Sequence, residues 1–251
     1  MKFSEVIGQK EVQERLVQMV KEDRLPHAMM LCGPAGSGKM ALAVAFGCYL
    51  LGLKDNKDVD QPEHPMLAKL EHPDLHFTYP TIKLPSMSSD HKPVSDDFAH
   101  EWHDLMMQGP YFTLDQWLTA VGAENQQAII TAGESDELVR KLSLKSSQGG
   151  YKVSIIWLPE RMNIECANKL LKLIEEPPTQ TVFLMVCEEP DKLLETIRSR
   201  VQRIDVKKID NETIRQALVE RRGISDDAAQ RISRLANGSW RKAMEARQAG
   251  T

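Results

Sequence analysis

Apolar residues recur along this chain in two rhythms. In "QKEVQERLVQMVKED" (9–23), Val12, Leu16, Met19 and Val20 fall on one helical face, and Arg24-Leu25-Pro26 ends the helix. "HAMMLCG" is a short apolar run closed by glycine, which predicts a buried strand, and "KMALAVAFGCYLLG" predicts an apolar helix ending near Gly52. Later helices are predicted over "ESDELVRKLSLKSSQGG", with Leu138 and Leu142 before a Gly-Gly stop, and over "ERMNIECANKLLKLIEEPP". The latter places Met162, Ala167, Leu170, Leu171 and Ile174 on one side and is halted by Pro177-Pro178. A short helix is predicted over "DKLLETIRSR", and strands over "YKVSIIWL", "TVFLMVCEE" and "VQRIDV". Strands alternating with helices predict an α/β fold with a parallel sheet.

The rhythm breaks twice. Between about 53 and 128 the chain is polar and proline-bearing, with an exposed loop predicted over "TIKLPSMSSDHKPVSDD". Short helices are predicted over "DDFAHEWHDLMMQGPYF" and "LDQWLTAVG", in an insertion of about 82–127. Trp102, Tyr111 and Trp117 are expected to form a small core of that insertion rather than a platform for stacking bases. After 207 only helical patterns remain, with Asp210 and Ser225 as N-caps and Gly223 and Gly238 at the helix ends. The expected organisation is an α/β domain over 1–207 and a small all-helical domain over 208–251.

Composition narrows the class. Of 251 residues, 41% are hydrophobic and 27% charged, and the net charge of -4 argues against a chain whose main task is coating nucleic acid. No apolar run approaches the roughly 18 residues of a membrane span, and the start "MKFSEVIGQK" lacks a signal-peptide core, so a cytoplasmic protein with no membrane partner is expected. Cys32, Cys48, Cys166 and Cys187 form no C-x-x-C pair and read as free buried thiols.

The candidate chemistry lies in "LCGPAGSGKM" (31–40). Gly33, Gly38 and Lys39 fit the phosphate-loop pattern G-x-x-x-x-G-K-[ST], with Gly36 between them, and the predicted strand and helix flank it as the motif requires. Glycines let backbone N–H groups approach phosphates at a helix N-terminus, and Lys39 is placed to reach β- and γ-phosphates. The last position holds Met40, whose thioether is a poor ligand for Mg²⁺ where the motif supplies a hydroxyl. The cradle is kept and its metal ligand is lost.

Six segments in order, "VIGQKEV", "LPHAMMLCGPAGSGK", "HPDLHFTYP", "NKLLKLIEEPP", "ETIRSRVQRI" and "LANGSWRKAM", resemble the clamp-loader branch of the AAA+ family over most of the chain outside 82–127. The most specific is "ANKLLKLIEEPP", close to the family's ALLKTLEEPP signature. The resemblance implies an AAA+ phosphate-loop domain, a helical lid domain, and a collar domain that has no counterpart in these residues. It implies work with gamma/tau-like and delta-like subunits in a hetero-oligomeric ring that places a sliding clamp on primed DNA. Where the family carries the Asp-Glu pair of its Walker B strand, this chain has Trp157-Leu158, with Glu160 two residues on, past Pro159. The resemblance also gives Arg200, preceded by Ser199, the part of an arginine finger reaching a neighbour's nucleotide, although Val201 replaces the motif's cysteine. Arg241 falls at the lid's sensor 2 position. The family's four-cysteine zinc module has no cysteines in 52–64, so neither zinc nor any other metal is expected; Asp58, Asp60 and His64 read as solvated.

The expectation is thus a relic loop (Gly33, Gly36, Gly38, Lys39, Met40, with Arg241) that needs no cofactor, binds ATP or ADP weakly at most and does not hydrolyse it. Two alternatives stay open. An active gamma-type ATPase would need Mg²⁺ held by unexpected residues, and a small-molecule kinase would leave "NKLLKLIEEPP" without a purpose.

Overall fold

Five parallel strands form the centre of the protein, in the order β2-β3-β4-β1-β5. They are β1 (Ala28–Cys32), β2 (Leu75–Thr78), β3 (Lys152–Trp157), β4 (Thr181–Cys187) and β5 (Gln202–Asp205). The computed structural model describes residues 1–53, 64–144, 146 and 149–250. Every residue of β1, β3 and β4 is buried, because helices cover both faces of a parallel sheet; this is why these strands read as continuous apolar runs. Alternate residues divide between the faces. Met29 and Leu31 join one core with α1 (Lys10–Lys21) and α2 (Lys39–Gly52). Ala28, Met30 and Cys32 join the other, whose helical residues follow below.

Strand β2 was not among the predicted strands. It is short, lies at the sheet edge and carries His76, so neither apolar continuity nor clean alternation marks it. The chain between β2 and β3 contributes α4 (Ala99–Gln108), α5 (Leu114–Ala120) and α6 (Ala132–Ser143), after the single-turn α3 (Pro65–Ala68) that precedes β2. Helix α6 stops at Ser143, ahead of the predicted Gly-Gly stop; residues 145, 147 and 148 of that prediction lie outside the described residues.

One expectation is corrected here. Trp102 and Trp117 do not form a separate small core. They are buried in the main core with Trp157 of β3, with ring centroids 5.3 Å apart from each other and 5.5 Å between Trp102 and Trp157. Tyr79, just past β2, stacks on Trp102 at 4.1 Å, and the Trp117 indole N–H donates to Pro80 O at 2.8 Å. An indole beside an edge strand buries far more apolar area against a sheet than two short helices offer each other.

On the second face, α7 (Ile164–Glu175) buries Ala167, Leu170 and Ile174 beside Leu138 and Leu142 of α6, and Asn163 caps it by accepting from Cys166 N–H at 2.9 Å. The four cysteines are buried as thiols. The one-turn α8 (Glu195–Arg198) precedes β5. Three helices then pack on each other, α9 (Asn211–Arg222), α10 (Asp226–Ala236) and α11 (Trp240–Gln248), around Ile214, Leu218, Ile232, Ala236 and Trp240. Their punctuation follows the sequence: Asp210 accepts from Thr213 N–H, Ser225 from Ala228 N–H, and Gly223 and Gly238 take left-handed backbone at φ 64° and 88°. Among the described residues no helix is long and apolar enough to cross a membrane.

Candidate functional site

The loop 33–38 leaves the C-terminal end of β1 and opens α2, the place where parallel sheets receive ligands. Gly36 and Gly38 hold φ 80° and 101°, conformations that favour glycine. Within the loop the polar groups already have partners. Ser37 Oγ donates to Pro34 O at 2.7 Å, and the Lys39 ammonium is folded back to donate to Gly33 O at 2.7 Å and Pro34 O at 2.9 Å. Burial lowers the Lys39 pKa, against the opposing pull of Glu188 and Glu160. Met40 is 6% exposed and sits in the main apolar core, where its side chain packs.

The end of β3 is apolar and buried as well. Trp157 and Leu158 are 3% and 2% exposed, and the Trp157 ring meets Phe112 edge-on at 5.3 Å. Leu158 takes a left-handed backbone at φ 59°, unusual for so bulky a residue, and turns the chain sharply into Pro159. The turn brings Glu160 beside the end of β4, where its Oε2 accepts from Glu188 N–H at 2.9 Å and Glu189 N–H at 2.8 Å. One carboxylate oxygen of Glu160 is thus committed to two amides; the other is buried without a hydrogen-bond partner in the structure. Glu188 titrates above the usual carboxylate range because it is buried, with Lys39 partly opposing the rise. Among the described residues no group of three or more His, Cys, Asp or Glu side chains is placed to hold a metal ion. Asp58 and Asp60 lie outside the described residues, and His64 Nδ1 accepts from Met66 N–H at 3.1 Å, capping α3.

Three further elements close on the loop. From the N-terminal segment, Gln9 donates through Nε2 to Ser37 O at 2.9 Å and to Lys207 O at 2.7 Å. From the start of α11, Trp240 N–H donates to Gly36 O at 2.9 Å, and a methyl group added at Gly36 would stand 2.0 Å from Ser239 Oγ. From the α4–α5 turn, Tyr111 accepts at its hydroxyl from Ile7 N–H at 3.0 Å, and its ring would lie 3.4 Å from a methyl group at Gly38. Burial pushes the Tyr111 phenol up to about 12. A cavity of about 890 Å³ opens beside these elements, and Ile7, Tyr111, Trp240 and Arg241 line it.

Gly33, Gly36, Gly38, Lys39 and Met40 therefore come together with Arg241, whose Cβ would lie 3.3 Å from a methyl group at Gly36. Arg241 Nη1 pairs with Glu245 at 2.8 Å, one turn along α11, and its Nε is buried without a hydrogen-bond partner in the structure. Ser199 and Arg200 follow α8 and make their contacts elsewhere. Arg200 is exposed, donates to Thr196 O at 2.9 Å and pairs with Glu175 at 3.0 Å; Ser199 Oγ donates to Thr196 O at 3.2 Å. Gln9, Tyr111, Ser239 and Trp240 were not singled out as site residues. Only the Gly109-Pro110 pair before Tyr111 hinted at a shaped turn, and nothing local said where that turn would dock.

Residues 8–210 match the sequence model of the family described as "DNA polymerase III, delta subunit". Among curated relatives, the chain is 25% identical over 233 residues to DNA polymerase III subunit delta' of Bacillus subtilis, covering 91% of this chain and 56% of that one. It is 24% identical over 248 residues to DNA polymerase III subunit tau of the same organism, covering 97% of this chain and 36% of that one. The chain thus spans less than two thirds of the length of either relative. The crystal structure of a DNA polymerase III gamma subunit-related protein from Thermotoga maritima superposes with a TM-score of 0.52 at 18% identity, covering 93% of this chain and 56% of that one. At that identity the likeness concerns the fold.

Proposed function

The chain belongs to the DNA polymerase III delta-subunit family, the delta-prime-like clamp-loader subunits, and on that premise we propose that it acts as a scaffold subunit that does not hydrolyse ATP itself. In this reading it resembles the delta-prime subunit of bacterial DNA polymerase III. It assembles with gamma/tau-like and delta-like subunits, helps place a sliding clamp on primed DNA, and lends Arg200 to the nucleotide site of its neighbour.

The observation that carries the reading is the joint burial of Met40, Trp157 and Leu158 in one apolar core. Phosphoryl transfer depends on positioning and on a metal ion that neutralises developing charge. A site whose metal-holding and water-activating positions face apolar side chains supplies neither. Identity barely separates the delta' and tau relatives of Bacillus subtilis, 25% against 24%, so the site's chemistry carries the distinction. The exposed Arg200 supports the second half of the proposal. A guanidinium stays charged at any working pH and offers a planar fork to phosphate oxygens, and one surface ion pair with Glu175 is a weak tether to exchange for them.

The gamma-type alternative would have to draw on Glu160 and Glu188 beside Lys39 as metal ligands. Two measurements decide. The isolated chain is expected to show no Mg²⁺-dependent ATP turnover above background, and robust turnover from clean protein would reject the scaffold reading. In a loader reconstituted with its sister subunits, Arg200→Ala is expected to cut ATPase activity by about 10³-fold, the lower end of what arginine fingers contribute. The mutant should still assemble normally on size exclusion; unchanged activity would remove the finger.

A further inference from the structure

The α4–α5 turn does more than fill space over the sheet. We infer that residues 109–112 are a built-in plug of the phosphate-loop site, with the Tyr111 ring standing where a nucleotide's phosphates would meet the loop. The inference rests on the reading of 33–40 as a phosphate loop that no longer supports hydrolysis, and goes beyond it to say why nucleotide is kept out.

A glycine at the position of Gly38 allows a phosphate to approach bare backbone, since there is no Cβ in the way. That approach is taken. The Tyr111 ring is in van der Waals range of the space a Gly38 Cβ would fill, with Cε1 at 3.4 Å and the hydroxyl at 3.6 Å.

Several independent constraints hold the ring there. Gly109 has φ 140° and ends α4, and Pro110 prevents the helix from continuing. Thr113 starts α5 as a reciprocal cap, accepting from Gln116 N–H at 3.2 Å while Gln116 Oε1 accepts from Thr113 N–H at 2.8 Å. Between these fixed ends, Tyr111 is tied to Ile7 N–H, and Phe112 packs edge-on to both Trp157 and Trp102 at 5.3 Å. The aromatic residue that replaced an acid at the end of β3 is therefore the seat on which the plug rests.

At two further positions of the loop, whose Pro34 stays exposed, the chain's own groups take up contacts. The Lys39 ammonium is held by Gly33 and Pro34 carbonyls, and Gly36 is capped by Trp240 N–H and crowded by Ser239. The roomy cavity lies beyond Tyr111, and none of residues 33–40 lines it.

A plug of this kind lowers apparent affinity by the fraction of time that it stands open. The test is a titration of the whole chain with the fluorescent nucleotide N-methylanthraniloyl-ADP, with and without Mg²⁺. Wild type and Tyr111→Phe, which keeps the ring, are expected to show no saturable binding. Tyr111→Ala is expected to bind saturably, with an apparent affinity at least about 100-fold above the wild-type limit, and adding Lys39→Ala should abolish the gain. A Tyr111→Ala protein with wild-type circular dichroism and no gain would overturn the inference.

Should that variant fail to fold, hydrogen exchange of wild-type residues 33–42 decides. No change on adding millimolar ADP is expected, and protection would overturn the plug. Nucleotide binding without turnover by wild type would reject the plug and leave the scaffold reading standing. Turnover would reject the scaffold reading itself.

Discussion

Gly36 is a residue at which the loop meets the start of α11 closely. Its φ of 80° strains any other residue, and an added Cβ would collide with Ser239 Oγ and press on Arg241. Gly36→Ala is therefore expected to lower stability by about 1–3 kcal/mol, read as a lower denaturation midpoint with an unchanged slope. Gly122 also has positive φ, but nothing stands within 4 Å of its missing Cβ, so Gly122→Ala should cost less and serves as the control. At this scale the sequence was half legible. The loop's glycines and Lys39 announced themselves by spacing, and the structure places them together in one loop. Tyr111 and Ser239 did not, because each matters through a contact across more than 70 residues of chain, and such contacts leave no local pattern.

Among the elements, α5 shows how a seven-residue helix becomes a rigid platform. Isolated helices of that length are unstable, so its cap and its buried Trp117 and Leu118 must hold it. Thr113→Ala removes the cap and is expected to cost about 1 kcal/mol in chemical denaturation, with Thr113→Ser restoring most of the loss. The helices and fully buried strands were legible because their periods are strong and their ends carry Pro, Gly, Asn or Asp. Strand β2 escaped because an edge strand of four residues with a histidine in it has too few positions to establish a period. Helix α6 ended early for a related reason: a Gly-Gly pair marks where a helix must have stopped, not where it does.

At the scale of the molecule, the three C-terminal helices are joined to the sheet by more than their linker. Gln9 bridges the loop to Lys207, Trp240 N–H holds Gly36, and the Arg221 guanidinium donates to Ser4 O and Glu5 O at 2.8 and 2.9 Å. Unfolding is therefore expected as one transition. Trp240 reports on the helical part, and Trp102, Trp117 and Trp157 on the aromatic core. Fluorescence melts of Trp240→Phe, which reads only the core, should coincide with far-ultraviolet dichroism within error. An early dichroism step would show the helices melting by themselves. The parallel α/β architecture was readable at this scale from the alternation of elements. The docking of the 99–120 segment onto the end of β3 was not, since amphipathic helices carry no address for the surface they cover.

The seating of Trp157 among Trp102 and Phe112 also limits which residues position 157 can hold. Suppose position 40 carried a hydroxyl and position 157 an aspartate. The carboxylate would enter an aromatic pocket that offers it no polar partner among the rings around Trp157, at a cost on the order of several kcal/mol. The reverse order fares no better, because removing the rings first opens a cavity under the sheet. An acid at 157 and the rings around it therefore exclude each other, and the two would have to change together.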